Sequence, residues 1–181
     1  MSLIDDIRVL NLNPNRPKHE LFNELVKLAH SYDFTIDDVD INKPWGLYMR
    51  FEPADAERFV SEFFPGLSMN EAQLGNPNAP LSPKFLLVSP SELLSWQYHN
   101  RRAERWVFLS RGGFYKSLSD EQGELHIASP DEIVQFAQGE RHRLVGAEDL
   151  YTLVAEIWQH TDQDNLSDEA DIIRLVDKYS R

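Results

Sequence analysis

The 181-residue sequence contains no cysteine. Its absence excludes disulfide bonds and thiolate-ligated zinc, and it is compatible with a reducing cytoplasm, which is the location we expect. An apolar run of about 18 residues or more, the length of a membrane helix, is also absent. Residues 1–6 show neither a basic region nor an apolar core. We therefore expect no secretory signal and no membrane partner.

Positive charge is scarce, with 18 Lys and Arg against 30 Asp and Glu and a net charge of −12. This balance argues against nucleic acid as a partner. Basic residues nevertheless concentrate in one part of the chain: Arg101, Arg102, Arg105, Arg111, Lys116, Arg141 and Arg143. A basic lining in an acidic protein indicates a small anionic ligand, such as a sugar phosphate. The alternative, for each of them, is an ion pair on the exterior.

The first half of the chain mixes helical and extended patterns. Apolar residues recur at helical spacing over 18–31, after Pro17, and a second helix is predicted at 53–64. Between them, 45–51 alternates like a strand. The stretch 67–83 contains Gly, Asn and Pro and is predicted as a loop.

The second half reads as closely spaced short strands separated by turn residues. The predicted strands are 84–89, 93–99, 103–109, 113–118, 124–128, 132–137, 142–146 and 150–158. Such a series is typical of a β-sandwich or barrel. The tail, 167–179, fits either a short amphipathic helix or an extended arm. We therefore predict one mainly β barrel with an N-terminal helical extension.

Within this series, residues 94–106 place polar side chains at alternate positions on both sides of a turn. Gln97 and His99 share one face of the first strand, because alternate side chains of a strand point the same way. A face of the second strand likewise carries Arg102, Glu104 and Trp106. If both faces turn inward, an amide oxygen, an imidazole and a carboxylate converge, and His142 is available to complete a metal site.

Five ordered motifs resemble one known family: Lys43-Pro-Trp-Gly46, Ser82-Pro-Lys84, 94–106, Gly139-Glu-Arg-His-Arg-Leu144 and Ser167-Asp-Glu-Ala-Asp-Ile-Ile-Arg174. The chain resembles the phosphomannose isomerase type II cupins over 43–181, and is similar to small stand-alone bacterial members labelled mannose-6-phosphate isomerase or phosphoheptose isomerase. The resemblance implies a cupin, a double-stranded β-helix or jelly-roll barrel. It divides the chain into an N-terminal helical extension, 1–42, and a barrel domain, 43–181, with a helical insertion near 53–64.

The resemblance implies a metal site made of Gln97, His99, Glu104 and His142. One divalent ion is expected, Zn²⁺ first, with Mn²⁺, Fe²⁺, Co²⁺ or Ni²⁺ as alternatives that this donor set does not distinguish. The implied activity is metal-dependent aldose–ketose isomerisation of a sugar phosphate, as by a mannose-6-phosphate isomerase, through an enediol. The alternative for the hairpin residues is a plain hydrogen bond between His99 and Glu104.

Candidate catalytic residues are Lys84, which leads a strand into the barrel, and Arg102, beside Glu104. Arg143 matches the family motif and is a candidate for binding the substrate phosphate, although strict alternation turns it away from His142. The general base is left open between a carboxylate that is not a metal ligand, His126, and Lys84 with a lowered pKa.

Two other functions fit the same residues. One is a non-catalytic cupin that binds metal and sugar, and the other is a different metal-cupin enzyme, such as an Fe²⁺ oxygenase. The arginine-rich segment favours a sugar-phosphate ligand over the apolar pocket of an oxygenase. The sequence does not name the sugar. We also expect a homodimer, formed through sheet edges or N-terminal segments.

Overall fold

The computed structural model describes residues 2–181. The α-helices in this range are α1 (Leu3–Arg8), α2 (Lys18–Ser31), α3 (Ala56–Phe63) and α4 (Met69–Ala72), and a 3-10 turn at Pro53–Asp55 leads into α3. The strands are β1 (Ile36–Asp40), β2 (Gly46–Phe51), β3 (Leu81–Val88), β4 (Trp96–Tyr98), β5 (Arg102–Phe108), β6 (Gly112–Ser117), β7 (His126–Ala128), β8 (Ile133–Phe136), β9 (Arg141–Gly146), β10 (Thr152–His160) and β11 (Ile173–Val176). No helix within 2–181 is both long and apolar enough to cross a bilayer.

The strands form two antiparallel sheets that face each other. The six-stranded sheet has the order β1-β2-β3-β10-β5-β8, and the five-stranded sheet has the order β11-β4-β9-β6-β7. Large apolar side chains fill the space between them, including Trp45, Trp106, Phe108, Phe114, Phe136 and Leu144. Two facing sheets with these crossover connections form the jelly-roll barrel of a cupin, so the predicted fold class is confirmed.

A helical layer covers the outer face of the six-stranded sheet, and this double coverage explains the burial of its central strands. Phe85 on β3 points outward, and its ring centroid lies 5.6 Å from that of Phe59 and 5.3 Å from that of Phe63, both on α3. The neighbouring residues Lys84 and Leu86 point into the barrel, because successive side chains alternate. All nine residues of β10 are buried for the same reason.

Most predicted elements are confirmed with small shifts of their ends. The helix predicted at 18–31 is α2, and the one at 53–64 is the 3-10 turn followed by α3. The strand predicted at 45–51 is β2, and the eight strands predicted from residue 84 onward correspond to β3 to β10. The tail takes the extended alternative, since β11 pairs with β4.

Two expectations about the first 83 residues need correction. The stretch 67–83 is not only a loop, because it contains α4 and the first residues of β3. The stretch 1–42 is not only helical, because β1 pairs with β2 at the edge of the six-stranded sheet. The sequence of β1, Ile-Asp-Asp-Val-Asp, is rich in aspartate, which is depleted in strands. Tyr48 and Arg50 on β2 satisfy two of these carboxylates at 2.7 Å each.

Gly46 begins β2 where the two backbones of β2 and β3 come very close. Its φ of 153° lies in the region that glycine favours. A Cβ atom at this position would lie 1.9 Å from the carbonyl oxygen of Leu87. The glycine of the Lys43-Pro-Trp-Gly46 motif is therefore required by this close approach.

Candidate metal centre

Three of the four predicted metal ligands meet between the sheets. His142 lies on β9 of the five-stranded sheet, Glu104 lies on β5 of the opposite sheet, and His99 directly follows β4. One ligand atom from each lies within 4.8 Å of the others, and all three side chains are buried. Gln97 on β4 is the cross-strand partner of His142 and completes the predicted set.

Both imidazoles are oriented by main-chain carbonyl groups. His99 Nδ1 lies 2.6 Å from the carbonyl oxygen of Asp171, and His142 Nδ1 lies 3.0 Å from that of Glu140. A carbonyl oxygen only accepts hydrogen bonds, so each Nδ1 carries a proton and each Nε2 is the ring nitrogen that faces Glu104. These Nε2 atoms lie 3.1 Å and 3.3 Å from the two carboxylate oxygens of Glu104.

Two imidazole nitrogens thus face one buried carboxylate. Burial lowers the pKa of His99, and the charge of Glu104 opposes this only in part. Burial alone would raise the pKa of Glu104, but His99, His142 and Arg102 hold it well below its usual value. His142 Nε2 is buried and has no hydrogen-bond partner within residues 2–181. Two imidazole nitrogens and a carboxylate that converge in this way form a donor set that fits a divalent cation.

Gln97 is adjacent to these groups, but its amide nitrogen, and not its oxygen, faces His99. Its Oε1 accepts a hydrogen bond from Ser95 Oγ at 2.6 Å, and its Nε2 lies 3.4 Å from His99 Nε2. Exchanging the amide oxygen and nitrogen would direct the oxygen at the site, while the Ser95 hydroxyl would then accept from the amide nitrogen. The ligand roles of all four residues stay predictions.

Arg102 packs against the ligands and is held on several sides. Its Nε donates to Glu104 Oε1 at 2.8 Å, and one terminal nitrogen lies 3.2 Å from His99 Nε2. Another terminal nitrogen donates to Ser167 Oγ at 2.8 Å, and the guanidinium lies 3.5 Å from the ring centroid of Trp158. Arg102 thus neutralises and positions Glu104, whereas its predicted contact with substrate stays a prediction.

Glu156 is a site residue that the sequence analysis did not name. It lies on β10 beside Trp106, whose Nε1 donates to Glu156 Oε1 at 3.0 Å and to Glu104 Oε2 at 3.2 Å. Burial and the negative charge of Glu104 raise the pKa of Glu156 to about 8. It therefore carries a proton at neutral pH, next to an ionised carboxylate. A single acidic residue inside an otherwise apolar predicted strand was the available signal.

Lys84, a predicted catalytic residue, lies on β3 directly opposite Glu156. Its Nζ is 2.6 Å from Glu169 Oε1 and 3.3 Å from the ring centroid of Trp158. Burial lowers the pKa of Lys84, and its interactions with the nearby carboxyl groups of Glu156 and Glu169 oppose this.

One cavity of about 80 Å³ between the sheets is lined by Glu104 and Gln97 together with Lys84, Arg102 and Glu156, whereas His99 and His142 are not among its lining residues. Its charged and polar lining consists of Lys43, Lys84, Ser95, Gln97, Arg102, Glu104, Glu156, Glu169, Arg174 and Arg181. Arg174 on β11 is the cross-strand partner of Gln97, so its side chain projects from the same face as the predicted ligands. Within residues 2–181, its guanidinium has no ion pair or hydrogen bond. An unpaired guanidinium here can bind an anion.

The structure does not bring Arg143 or His126 to this cavity. Arg143 points to the other face of β9, as strict alternation requires, and donates to Gln122 Oε1 at 2.9 Å and to the carbonyl oxygen of Val176 at 2.8 Å. His126 is half exposed on an edge strand and lies 2.6 Å from a carboxylate oxygen of Glu132. The substrate contact of Arg143 stays a prediction, and in the structure its guanidinium instead contacts the main chain of β11.

Comparison with known proteins gives distant structural likenesses. No protein-family model and no curated protein matches the sequence. A vicilin from Corylus avellana (hazelnut) is similar with TM-score 0.48 and 12% identity, over 68% of this chain and 31% of its own. A Cupin 2 conserved barrel domain protein from Salinispora arenicola CNS-205 is similar with TM-score 0.46 and 16% identity, over 70% of this chain and 84% of its own. The DMSP lyase DddQ from Ruegeria pomeroyi DSS-3 is similar with TM-score 0.47 and 11% identity, over 96% of this chain and 77% of its own. The fold assignment rests on the sheet topology, and these likenesses carry no functional argument.

Proposed function

We propose that this protein is a metal-dependent isomerase of sugar phosphates, with mannose 6-phosphate as the first substrate to test. The observation that carries the proposal is the shared cavity described above. Its lining joins Glu104, the carboxylate of the buried His-Glu-His group, to the Glu156 carboxyl group, whose pKa is raised, and to several cationic side chains. Aldose–ketose isomerisation needs these three components, namely a cation site, an acid or base, and groups that bind phosphate.

One divalent ion, Zn²⁺ first and Mn²⁺, Fe²⁺, Co²⁺ or Ni²⁺ as alternatives, would be held by His99, Glu104 and His142. Gln97 would add its amide oxygen after rotation of the amide. When bound, such an ion supplies positive charge that polarises the carbonyl group of a substrate. The carbonyl oxygens of Asp171 and Glu140 keep both imidazoles in the tautomer that binds a metal through Nε2.

We assign a role in proton transfer to Glu156. In the isomerisation, a proton leaves C2 of the aldose and one is delivered to C1, while the O2 hydroxyl loses its proton and O1 gains one. A carboxyl group with a pKa of about 8 can donate a proton to an oxygen that becomes negatively charged, and its conjugate base can take a proton back. This assignment supplies the acid at the substrate oxygens, while the base that takes the proton from C2 stays open, as in the sequence analysis.

The cationic side chains of the cavity are the groups that we propose to bind the anion. Lys84 is buried beside Trp158, and Arg174 is unpaired next to Gln97. Guanidinium and ammonium groups form charge-assisted hydrogen bonds with phosphate oxygens. The proposed partner is therefore a small sugar phosphate, with neither nucleic acid nor membrane as a partner. We also keep the proposals of a homodimer and of a cytoplasmic location.

The test is proton exchange at C1 and C2 of mannose 6-phosphate and related sugar phosphates, followed by NMR in deuterated water. The protein is loaded separately with Zn²⁺, Mn²⁺ and Co²⁺. We expect exchange that depends on metal and disappears in Glu104→Gln, while Glu148→Gln, an exposed control outside the cavity, behaves as wild type. If metal binds and no sugar phosphate exchanges, the isomerase proposal is wrong, and a non-catalytic cupin that binds metal and sugar replaces it.

A further inference from the structure

In the ion pair between Lys84 and Glu169, only the lysine side chain is buried. Their side chains are 3% and 51% exposed, respectively, and Nζ and Oε1 are 2.6 Å apart. The ammonium group belongs to a strand inside the barrel, whereas the carboxylate enters the cavity from the chain segment that precedes β11. An arriving solute can therefore reach the carboxylate before it reaches the ammonium.

The other neighbours of Lys84 leave room for one anionic partner. Its Nζ lies 3.3 Å from the ring centroid of Trp158 and 5.1 Å from that of Tyr48, and these rings supply no hydrogen-bonding oxygen towards it. Glu156, opposite Lys84 in the sheet, accepts instead from Trp106 Nε1 at 3.0 Å. Glu169 is thus the carboxylate that directly contacts the ammonium group, in the place where an oxygen of a bound anion would lie.

Glu169 can leave this position without disturbing the segment that carries it. Among residues 2–181, its side chain makes one hydrogen bond, to Lys84. The residues on either side are anchored independently, because Ser167 Oγ donates to Asp171 Oδ2 at 2.7 Å and the Asp171 carboxylate accepts from the main-chain nitrogen of Asn100 at 3.0 Å. Rotation of one side chain therefore exposes Lys84 while the segment stays in place.

We infer that the carboxylate of Glu169 occupies an anion-binding position on Lys84 and that a phosphate group of the ligand displaces it. Glu169 is then a self-inhibiting side chain that competes with anions for the cavity. The inference rests on the proposed function for its ligand class, a phosphate monoester. It also predicts binding of phosphate alone, which is independent of any turnover.

The experiment measures the affinity for inorganic phosphate by isothermal titration calorimetry on the full chain. If the ion pair is closed about nine-tenths of the time, removing the carboxylate raises the affinity about tenfold, because the open fraction limits the apparent affinity. We expect this gain in Glu169→Gln and no gain in Glu148→Gln, which removes the same charge from an exposed site outside the cavity. The gain should vanish when Lys84→Gln is added to Glu169→Gln.

An affinity for phosphate that is unchanged or weaker in a folded Glu169→Gln variant overturns the inference. If that variant does not fold, Glu169→Asp takes its place, since the shorter side chain weakens the ion pair and should give a smaller gain; no gain there overturns the inference as well. The proton-exchange assay separates this result from the proposed function. A gain in phosphate affinity without proton exchange in any sugar phosphate supports the Glu169 inference and contradicts the isomerase proposal. Proton exchange without a gain in phosphate affinity supports the isomerase proposal and overturns the Glu169 inference.

Discussion

Replacing Arg102 by methionine should strongly destabilise the metal-free protein. The guanidinium lies 2.8 Å from Glu104 Oε1, and both side chains are almost fully buried, at 4% and 2% exposure. Methionine keeps much of the packing against Trp158 but leaves the Glu104 carboxylate without its nearest cation. Removing one partner of a buried ion pair costs about 3–5 kcal/mol, because a buried charge remains uncompensated.

Urea denaturation with a chelator present measures this loss. With an m-value near 2 kcal/mol per molar, the expected cost lowers the midpoint by about 1.5–2.5 M urea. The control is Arg111→Met, which removes an ion pair with Asp149 whose partners are 49% and 65% exposed. Pairs of this kind contribute about 0–1 kcal/mol, so the control should stay close to wild type.

Divalent metal should restore part of the stability of Arg102→Met. A cation held by His99, Glu104 and His142 would compensate the same carboxylate that Arg102 compensates in the metal-free protein. At a free metal concentration of 100 times Kd, binding to the native state adds about 2.7 kcal/mol. A loss below about 1 kcal/mol in the metal-free variant would refute the idea that Arg102 neutralises Glu104.

Three further predictions concern other parts of the molecule. The raised pKa of Glu156, about 8, means that the native protein holds a proton that an unfolded glutamate releases above pH 4.5. Wild type should therefore lose stability relative to Glu156→Gln as the pH rises from about 4.5 to 8, and parallel urea curves across that range would contradict the assignment. Phe85→Ala should cost about 3–5 kcal/mol in thermal or urea unfolding because it empties the contact with Phe59 and Phe63, and a cost near zero would show that α3 does not depend on this side chain. Gly46→Ala should destabilise by about 1–3 kcal/mol, since its Cβ would meet Leu87 O at 1.9 Å, and a wild-type melting temperature would show that β2 can shift.

The candidate metal ligands could be selected from the sequence where local spacing alone decides their direction. Period-two alternation and a short turn fix Gln97 and His99 on one strand and Glu104 on the next, whatever the rest of the fold does. The position of His142 follows from register, because it pairs directly with Gln97. This part of the site is therefore encoded within two short stretches of sequence.

The groups that complete the site come from distant parts of the chain and leave little trace in the sequence. The partner of His99 Nδ1 is a main-chain carbonyl at Asp171, and any residue type supplies such a carbonyl. Arg143 and Arg174 are equally basic, yet only Arg174 lines the cavity. Their directions depend on which face of each strand turns inward, and this is settled only when β11 adds to the edge of β4.

The alternation of side chains between the two faces of the six-stranded sheet explains why charged residues are tolerated in its centre. Even-numbered positions of β3, β5 and β10 face the cavity, so Lys84, Glu104 and Glu156 meet one another and Arg102. Most odd-numbered positions, such as Phe85, face the helical layer and are apolar, with Arg105 and Gln159 as the polar exceptions. A fully buried carboxylate moved by one residue would enter that layer, at the cost of an uncompensated buried ion. The same alternation that stabilises the barrel thus places Lys84, Glu104 and Glu156 on the side where their charges compensate each other and where an anionic ligand can reach them.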